Sequence, residues 1–235
     1  MLSARLHAIA AMVTPGNTVC DIGCDRALVV IDLIGRGVVP RAIVMDINSA
    51  PLEGAREEIK GAGLEDRIDI RLSDGLTALG QGETYTVILT GMGGPLIQTI
   101  LIAGAAKTDD LRELILGPQS DVPALRRSLR QRGFVTVAED MVFEEDKFYP
   151  LIKVRPGPPD PAEKPETTLY DCYGPILLRD RHPALLAYLK RERDEKRKII
   201  NEINDNTSYL TTRAQDRLEE LLRKVEELQD LIRMW

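Results

Sequence analysis

The chain has 235 residues, room for one full core and a small second unit. Apolar residues make up 43% and charged residues 29%, and no apolar run approaches the roughly eighteen residues of a membrane span, so a membrane-spanning helix is excluded and a cytoplasmic protein is expected. A formal charge of -6 argues against a nucleic-acid partner, because phosphate binding wants positive surface, although local charge can differ from the total, and Cys20, Cys24 and Cys172 are too few and too uneven for a disulfide framework or a metal set, so no metal is expected.

In chain order, Met1 to Val13 reads as a short amphipathic helix with Leu6, Ile9, Ala10 and Val13 on one face, and it lacks the basic start and cleavage site of an export signal. From Thr18 to about Arg155, β-rich runs alternate with helical segments, the pattern of an α/β fold with a mostly parallel sheet. Seven strands are predicted, near Thr18 to Ile22, Arg41 to Asp46, Arg67 to Leu72, Thr84 to Thr90, Leu111 to Leu116, Gly133 to Phe143 and Lys147 to Arg155. Helices are predicted near Arg26 to Arg36, Ala50 to Gly61, Pro95 to Ala105 and Val122 to Arg132. Only Glu144, Glu145 and Asp146 separate the last two strands, which therefore form an antiparallel hairpin. Five prolines between Pro156 and Pro165 mark a linker, which puts one domain at residues 1–157 and a linker with a helical tail at 158–235. After Pro183 two helical segments flank a polar turn at Asp205, Asn206, Thr207 and Ser208. The second carries a heptad seam of Ala214, Leu218, Leu221, Val225, Leu228, Ile232 and Trp235. Leu186, Leu189, Ile200 and Ile203 form the first helix's seam, which Arg193 and Lys196 interrupt. A turn this short implies an antiparallel coiled-coil hairpin within one chain, with a dimer through the same helices as the alternative.

Four strand ends carry the chemistry. The first strand ends in Asp21-Ile22-Gly23-Cys24-Asp25, an acid followed by one tight glycine turn into a helix. A dinucleotide fold would want Gly-x-Gly-x-x-Gly there to admit a pyrophosphate. A methyl donor has no phosphate and presents an ammonium, which suits Asp21 and Asp25. Asp46 ends the second strand, twenty-five residues after Asp21, where doubly wound folds place an acid for the ribose hydroxyls. The third strand ends in Ser73-Asp74-Gly75-Leu76, whose Asp74 could accept from an adenine amine or cap a turn. The fourth runs into Gly91-Met92-Gly93-Gly94-Pro95, three glycines in four residues where another group can approach the backbone. The ends of four successive parallel strands share one rim of the sheet, where open α/β folds bind ligands.

These residues resemble the TrmK family, bacterial tRNA methyltransferases that modify N1 of adenine 22. The likeness rests on Ser3-Ala4-Arg5-Leu6, Asp21-Ile22-Gly23 with Asp25, Ser73-Asp74-Gly75-Leu76, Gly91-Met92-Gly93-Gly94 with Leu96-Ile97, Glu144-Glu145 before Lys147-Phe148-Tyr149, and Tyr173-Gly174-Pro175. It departs where the family has His then Ala-Tyr-Leu-Pro after the loop acid, against Arg26-Ala27-Leu28-Val29-Val30 here, and where Gly117-Pro118-Gln119 replaces Gln-Pro-Asn. The resemblance implies a Rossmann-like class I methyltransferase with a seven-stranded mostly parallel sheet and a C-terminal helical hairpin. S-adenosylmethionine would be the cofactor and tRNA the partner. It implies donor binding at Asp21, Gly23, Asp25, Asp46, Ile47, Ser73, Asp74, Gly75 and Gly91, and catalysis at Asp25, Gly91, Met92, Gly93 and Gly94. RNA contacts would fall on Arg26, Lys190, Arg191, Arg193, Lys196, Arg197 and Lys198.

Adenine N1 carries a free lone pair at neutral pH, so positioning rather than a strong base is expected to dominate. An extruded base also calls for a stacking surface, for which Phe148, Tyr149 and Tyr173 are candidates. The basic run Arg126 to Arg132 is readable as an RNA contact or as a solvated helix face. Two other readings stay open: a methyltransferase acting on a small molecule or protein, and a donor-binding scaffold without activity.

Overall fold

The computed structural model describes residues 2–107, 111–158, 168–205 and 212–235. Its sheet contains strands β1 (Val19–Ile22), β2 (Ala42–Asp46), β3 (Ile68–Leu72), β4 (Thr86–Met92), β5 (Glu113–Pro118), β6 (Phe134–Glu144) and β7 (Lys147–Pro156). The helices of the sheet unit are α1 (Ala4–Met12), α2 (Leu28–Gly35), α3 (Ser49–Ala62), α4 (Gly94–Ala103), α5 (Val122–Gln131) and α6 (Thr168–Tyr173). The strand order is β3-β2-β1-β4-β5-β7-β6. Strands β1 to β5 are parallel, and β7 runs antiparallel between β5 and β6.

The central strands are largely apolar and buried because both of their faces are covered, as parallel sheets require. Along β1 the side chains alternate: Val19 faces α1, α2 and α3 with Val44, Ile88 and Ile115, whereas Cys20 and Ile22 face α4 and α5 with Met45, Leu89 and Leu116. Strand β4 continues through Gly91 and Met92 rather than ending at Thr90, with a register shift between Thr90 and Met92. Gly91, at φ +79°, supplies the left-handed backbone for that irregularity. Half of the glycine segment expected to be a loop is therefore strand.

At the amino edge of the sheet, buried Glu113 accepts from Thr14 N–H at 2.9 Å, Thr14 Oγ1 at 2.5 Å and Thr86 Oγ1 at 2.8 Å, and pairs with Lys153 Nζ at 2.8 Å. Burial alone would raise its carboxyl, but these donors outweigh it and hold the group below its usual range.

The described residues form two compact units, Met1–Ile176 and Leu177–Trp235. The predicted boundary at 157/158 therefore moves, because residues 168–176 are tied into the sheet unit. Arg126, buried with Glu139, donates to the carbonyls of Asp171 and Cys172, and Arg127 and Arg130 pair with the Asp171 carboxylate. The Glu139 carboxylate also accepts from Ile176 N–H at 2.9 Å. The Arg126 to Arg132 run, readable from sequence as an RNA contact, is thus internal bonding, and Arg132 completes it with Leu101 O at 2.9 Å. Most of the proline-rich linker, and the polar turn beyond Asp205, lie outside the described residues.

The second unit holds α8 (Pro183–Asp205) and α9 (Thr212–Arg233), which pack together through Ile200, Leu221 and Val225 with Ile203 and Leu218; the short α7 (Pro175–Arg179) leads into it. The buried row of α9 follows the expected seam to Leu228 and then passes to Leu231, leaving Ile232 half-buried. No described helix is long and apolar enough to cross a membrane.

Candidate functional site

Backbone hydrogen bonds knit the carboxyl ends of the central strands into one rim. Gly23 N–H donates to Met45 O at 2.8 Å and Ser73 N–H to Asp46 O at 2.9 Å, linking the ends of β1, β2 and β3. Gln119 N–H donates to Met92 O at 2.9 Å and Gly94 N–H to Ser120 O at 3.0 Å, linking β4 and β5. Gly23 joins the two halves: at φ +75° it makes a turn no β-carbon would favour, and a Cβ there would stand 3.0 Å from Met92 Cε. The four junctions named from the sequence therefore meet.

The carboxylates on this rim differ in environment, and the difference is informative. Asp21 is 5% exposed, in register with Val44 and Ile88 on the neighbouring strands, and no described residue hydrogen-bonds its carboxylate. Burial pushes its acid up to about 7. Glu113, equally buried at the opposite edge, has a donor set, whereas Asp21 has none, and buried charges are ordinarily paired. An ammonium group brought to Asp21 would supply the missing partner. Burial first, and the charge of Asp21 second, also push up the thiols of Cys20 and Cys24, which are neutral packing groups here.

Asp46 is half-buried, and its Oδ1 accepts Asn48 N–H at 2.8 Å, which fixes the carboxylate at the end of β2 and leaves Oδ2 for another donor. Beside it Ile47 is 61% exposed, and Leu72, the register partner of Asp46 on β3, is 64% exposed. Two large aliphatic side chains held out at a strand end make an apolar ledge suited to a flat ring. Leu72 escapes a sequence reading because it looks like ordinary strand core. Above Gly91 nothing lies within 4 Å of where a Cβ would be, so the backbone there is open to a ligand.

Several expected residues are placed otherwise. Ser73 is buried, its hydroxyl donating to Gly75 O at 2.9 Å and accepting Ala78 N–H at 3.0 Å, and a Cβ on Gly75 would meet Ile100 at 3.0 Å. Both serve the turn after β3, leaving the exposed Asp74 side chain as that turn's group on the surface. Asp25 is exposed in a left-handed conformation at φ +48°. Arg26 leans on Gly54 and pairs with Glu58 at 3.5 Å, so it lies along α3. Tyr173 is buried and unsuitable as a stacking platform, Tyr149 carries the Arg5 guanidinium 4.8 Å above its ring, and Phe148 packs on Phe143 with centroids 4.6 Å apart. In the second unit Arg191, Arg193 and Lys196 pair with Glu195, Asp194 and Glu192. Lys190, Arg197 and Lys198 are exposed and pair with no described residue. Among the described residues no group of His, Cys, Asp and Glu is arranged to hold a metal ion.

Comparison with known proteins agrees with this geometry. A family model described as "Methyltransferase domain" matches residues 2–152. A tRNA (adenine(22)-N(1))-methyltransferase of Bacillus subtilis is 27% identical over 98% of this chain and 97% of its own. The crystal structure of the B. subtilis tRNA methyltransferase TrmK superposes with a TM-score of 0.84 over 99% of both chains at 27% identity. A Streptococcus pneumoniae protein solved in complex with S-adenosyl-L-methionine gives 0.85 at 27% identity, over 99% of this chain and 100% of its own. A family match over residues 2–152, on a sheet whose strand ends converge as described, places this chain in the methyltransferase-domain family.

Proposed function

We propose that the chain transfers the methyl group of S-adenosylmethionine to N1 of adenine 22 in tRNA. The observation that carries this reading is the buried, unpartnered Asp21 on a rim whose other groups match the remaining parts of that donor. Asp21 would hold its ammonium, Asp46 Oδ2 its ribose hydroxyls, and Ile47 with Leu72 one face of its adenine, with Asp74 near the ring amine. When bound, the donor supplies an activated methyl on a positively charged sulfur. The chain's own part is to seat the target base over the open backbone at Gly91, with Met92, Gly93 and Gly94 shaping the pocket floor. Holding the two reactants in line can account for much of the rate without a general base.

The tRNA reading draws on relatives matched along nearly their whole length, tail included. Lys190, Arg197 and Lys198 are the cations of α8 best able to meet phosphates, because pairing within the helix already neutralises Arg191, Arg193 and Lys196. Packing of α8 on α9 within one chain favours a monomer, and the substrate favours a cytoplasmic protein. The test is to incubate purified protein with unmodified tRNA and methyl-labelled donor and to map the labelled base. Label at N1 of adenine 22 supports the reading. Donor binding with no label in tRNA would exclude it.

A further inference from the structure

The loop from β5 to α5, Gln119-Ser120-Asp121, lies directly on the glycine segment. Besides the two backbone bonds to Met92 and Gly94, Ser120 Oγ stands 2.9 Å from where a Cβ on Gly93 would be. The main-chain oxygens of Ser120 and Asp121 stand 2.7 and 3.1 Å from the corresponding point on Gly94. The missing side chains of both glycines are what let the loop settle there. Yet the loop's own side chains are all exposed, Asp121 makes no capping bond to α5, and neither the Ser120 hydroxyl nor the Asp121 carboxylate bonds a described residue. In the sheet order this loop follows β5, on the opposite side of β4 from Asp21 and Asp46. With the donor over β1, β2 and β3, it borders the space left for the acceptor.

We infer that Asp121 and Ser120 read the target adenine, the Asp121 carboxylate accepting from the exocyclic 6-amino group and the Ser120 hydroxyl bonding the ring edge beside Gly93. The inference rests on the tRNA activity proposed above. In the reaction the N1 lone pair forms the new N–C bond while the C–S bond breaks, its electron pair staying on sulfur. The positive charge therefore leaves the sulfonium and spreads over the adenine ring onto its 6-amino nitrogen. A carboxylate hydrogen-bonded to that nitrogen interacts more strongly as charge arrives, so it favours the transition state over bound substrate and acts on kcat.

The test uses the full chain, with Asp121→Gly, Asp121→Asn and Ser120→Ala, on tRNA bearing either adenine or purine, which lacks the 6-amino group, at position 22. Asp121 sits at φ +51°, a conformation glycine and asparagine adopt readily, so neither change strains the fold. Asp121→Gly should lower kcat on the adenine substrate about tenfold or more, the loss expected for a hydrogen bond to a charged group. Donor affinity by calorimetry should not change. On the purine substrate the variant and wild type should differ little, Asp121→Asn should fall between them on adenine, and Ser120→Ala should raise KM for tRNA several-fold. Equal losses on both substrates, or a wild-type kcat in Asp121→Gly, would overturn the inference. A wild-type protein that binds donor but leaves adenine tRNA unmethylated would instead remove the tRNA reading, and this one with it.

Discussion

Replacing Asp21 by Asn should make the ligand-free protein more stable and the donor complex weaker. The acid of Asp21 is pushed up to about 7 in the folded protein, against 3.8 when free. Because the folded state holds the proton more tightly, stability falls as pH rises from the unfolded value through the folded one. The whole penalty, about 4 kcal/mol at ~1.4 kcal/mol per unit, is present above pH 7. Asn has nearly the same shape and no charge, but its buried amide still lacks a partner, which costs about 1 to 3 kcal/mol. A net gain of roughly 1 to 3 kcal/mol at pH 8 should remain, a rise in Tm of about 2 to 4 °C per kcal/mol for a unit of this size. At pH 5 the wild-type group is protonated when folded, and the advantage should shrink by about 2 to 3 kcal/mol. Thermal denaturation at the two pH values, with and without S-adenosylmethionine, measures both effects. The donor should stabilise the wild type strongly and the variant weakly, with affinity reduced about tenfold or more. Wild-type donor affinity should itself decline as pH drops below about 7, where Asp21 takes up its proton. If Asp21→Asn were the less stable protein by the same margin at both pH values, the carboxylate would belong to the internal bonding of the sheet, and the assignment would be wrong.

Asp46→Ala should weaken donor binding at least about tenfold by calorimetry while tRNA affinity is retained, since besides Asn48 N–H that carboxylate is assigned only to the donor's hydroxyls. Glu113→Gln should lower stability by about 3 kcal/mol, seen as a drop in Tm of roughly 10 °C, because Lys153, though still bonded to Met12 O and Thr14 Oγ1, loses the carboxylate charge that balances it in a largely buried place; donor affinity of the folded fraction should be unchanged. Converting Lys190, Arg197 and Lys198 together to Gln should reduce the slope of log tRNA affinity against log salt by about 2 to 3, and an unchanged slope would assign phosphate binding elsewhere.

The carboxylates near strand ends were legible because an acid within an apolar run or closing it, as Asp21 and Asp46 respectively do, breaks a pattern set by burial. The glycine segment was legible for the same reason, although β4 runs through half of it. What the acids and arginines do once folded was not legible. Glu113 and Asp21 are both acids beside apolar runs, and only distant partners distinguish them: Thr14 is 99 residues from Glu113. The row Arg126, Arg127 and Arg130 has the composition of a phosphate-binding face, and Asp171, more than forty residues on, turns it inward.

The sequence by itself determined the alternation of strands and helices, the helical hairpin, and the set of polar groups at the ends of the buried strands, because periodicity and chain punctuation are local properties. Tertiary structure alone decided that Ser73 turns inward, that Leu72 stands out on β3 next to the end of β2, that Gln119, Ser120 and Asp121 rest on Gly93 and Gly94, and that no described residue neutralises Asp21. Each of these depends on which atoms arrive from elsewhere in the chain to satisfy or shield a group, and that is set by packing across the sheet rather than by the residues on either side.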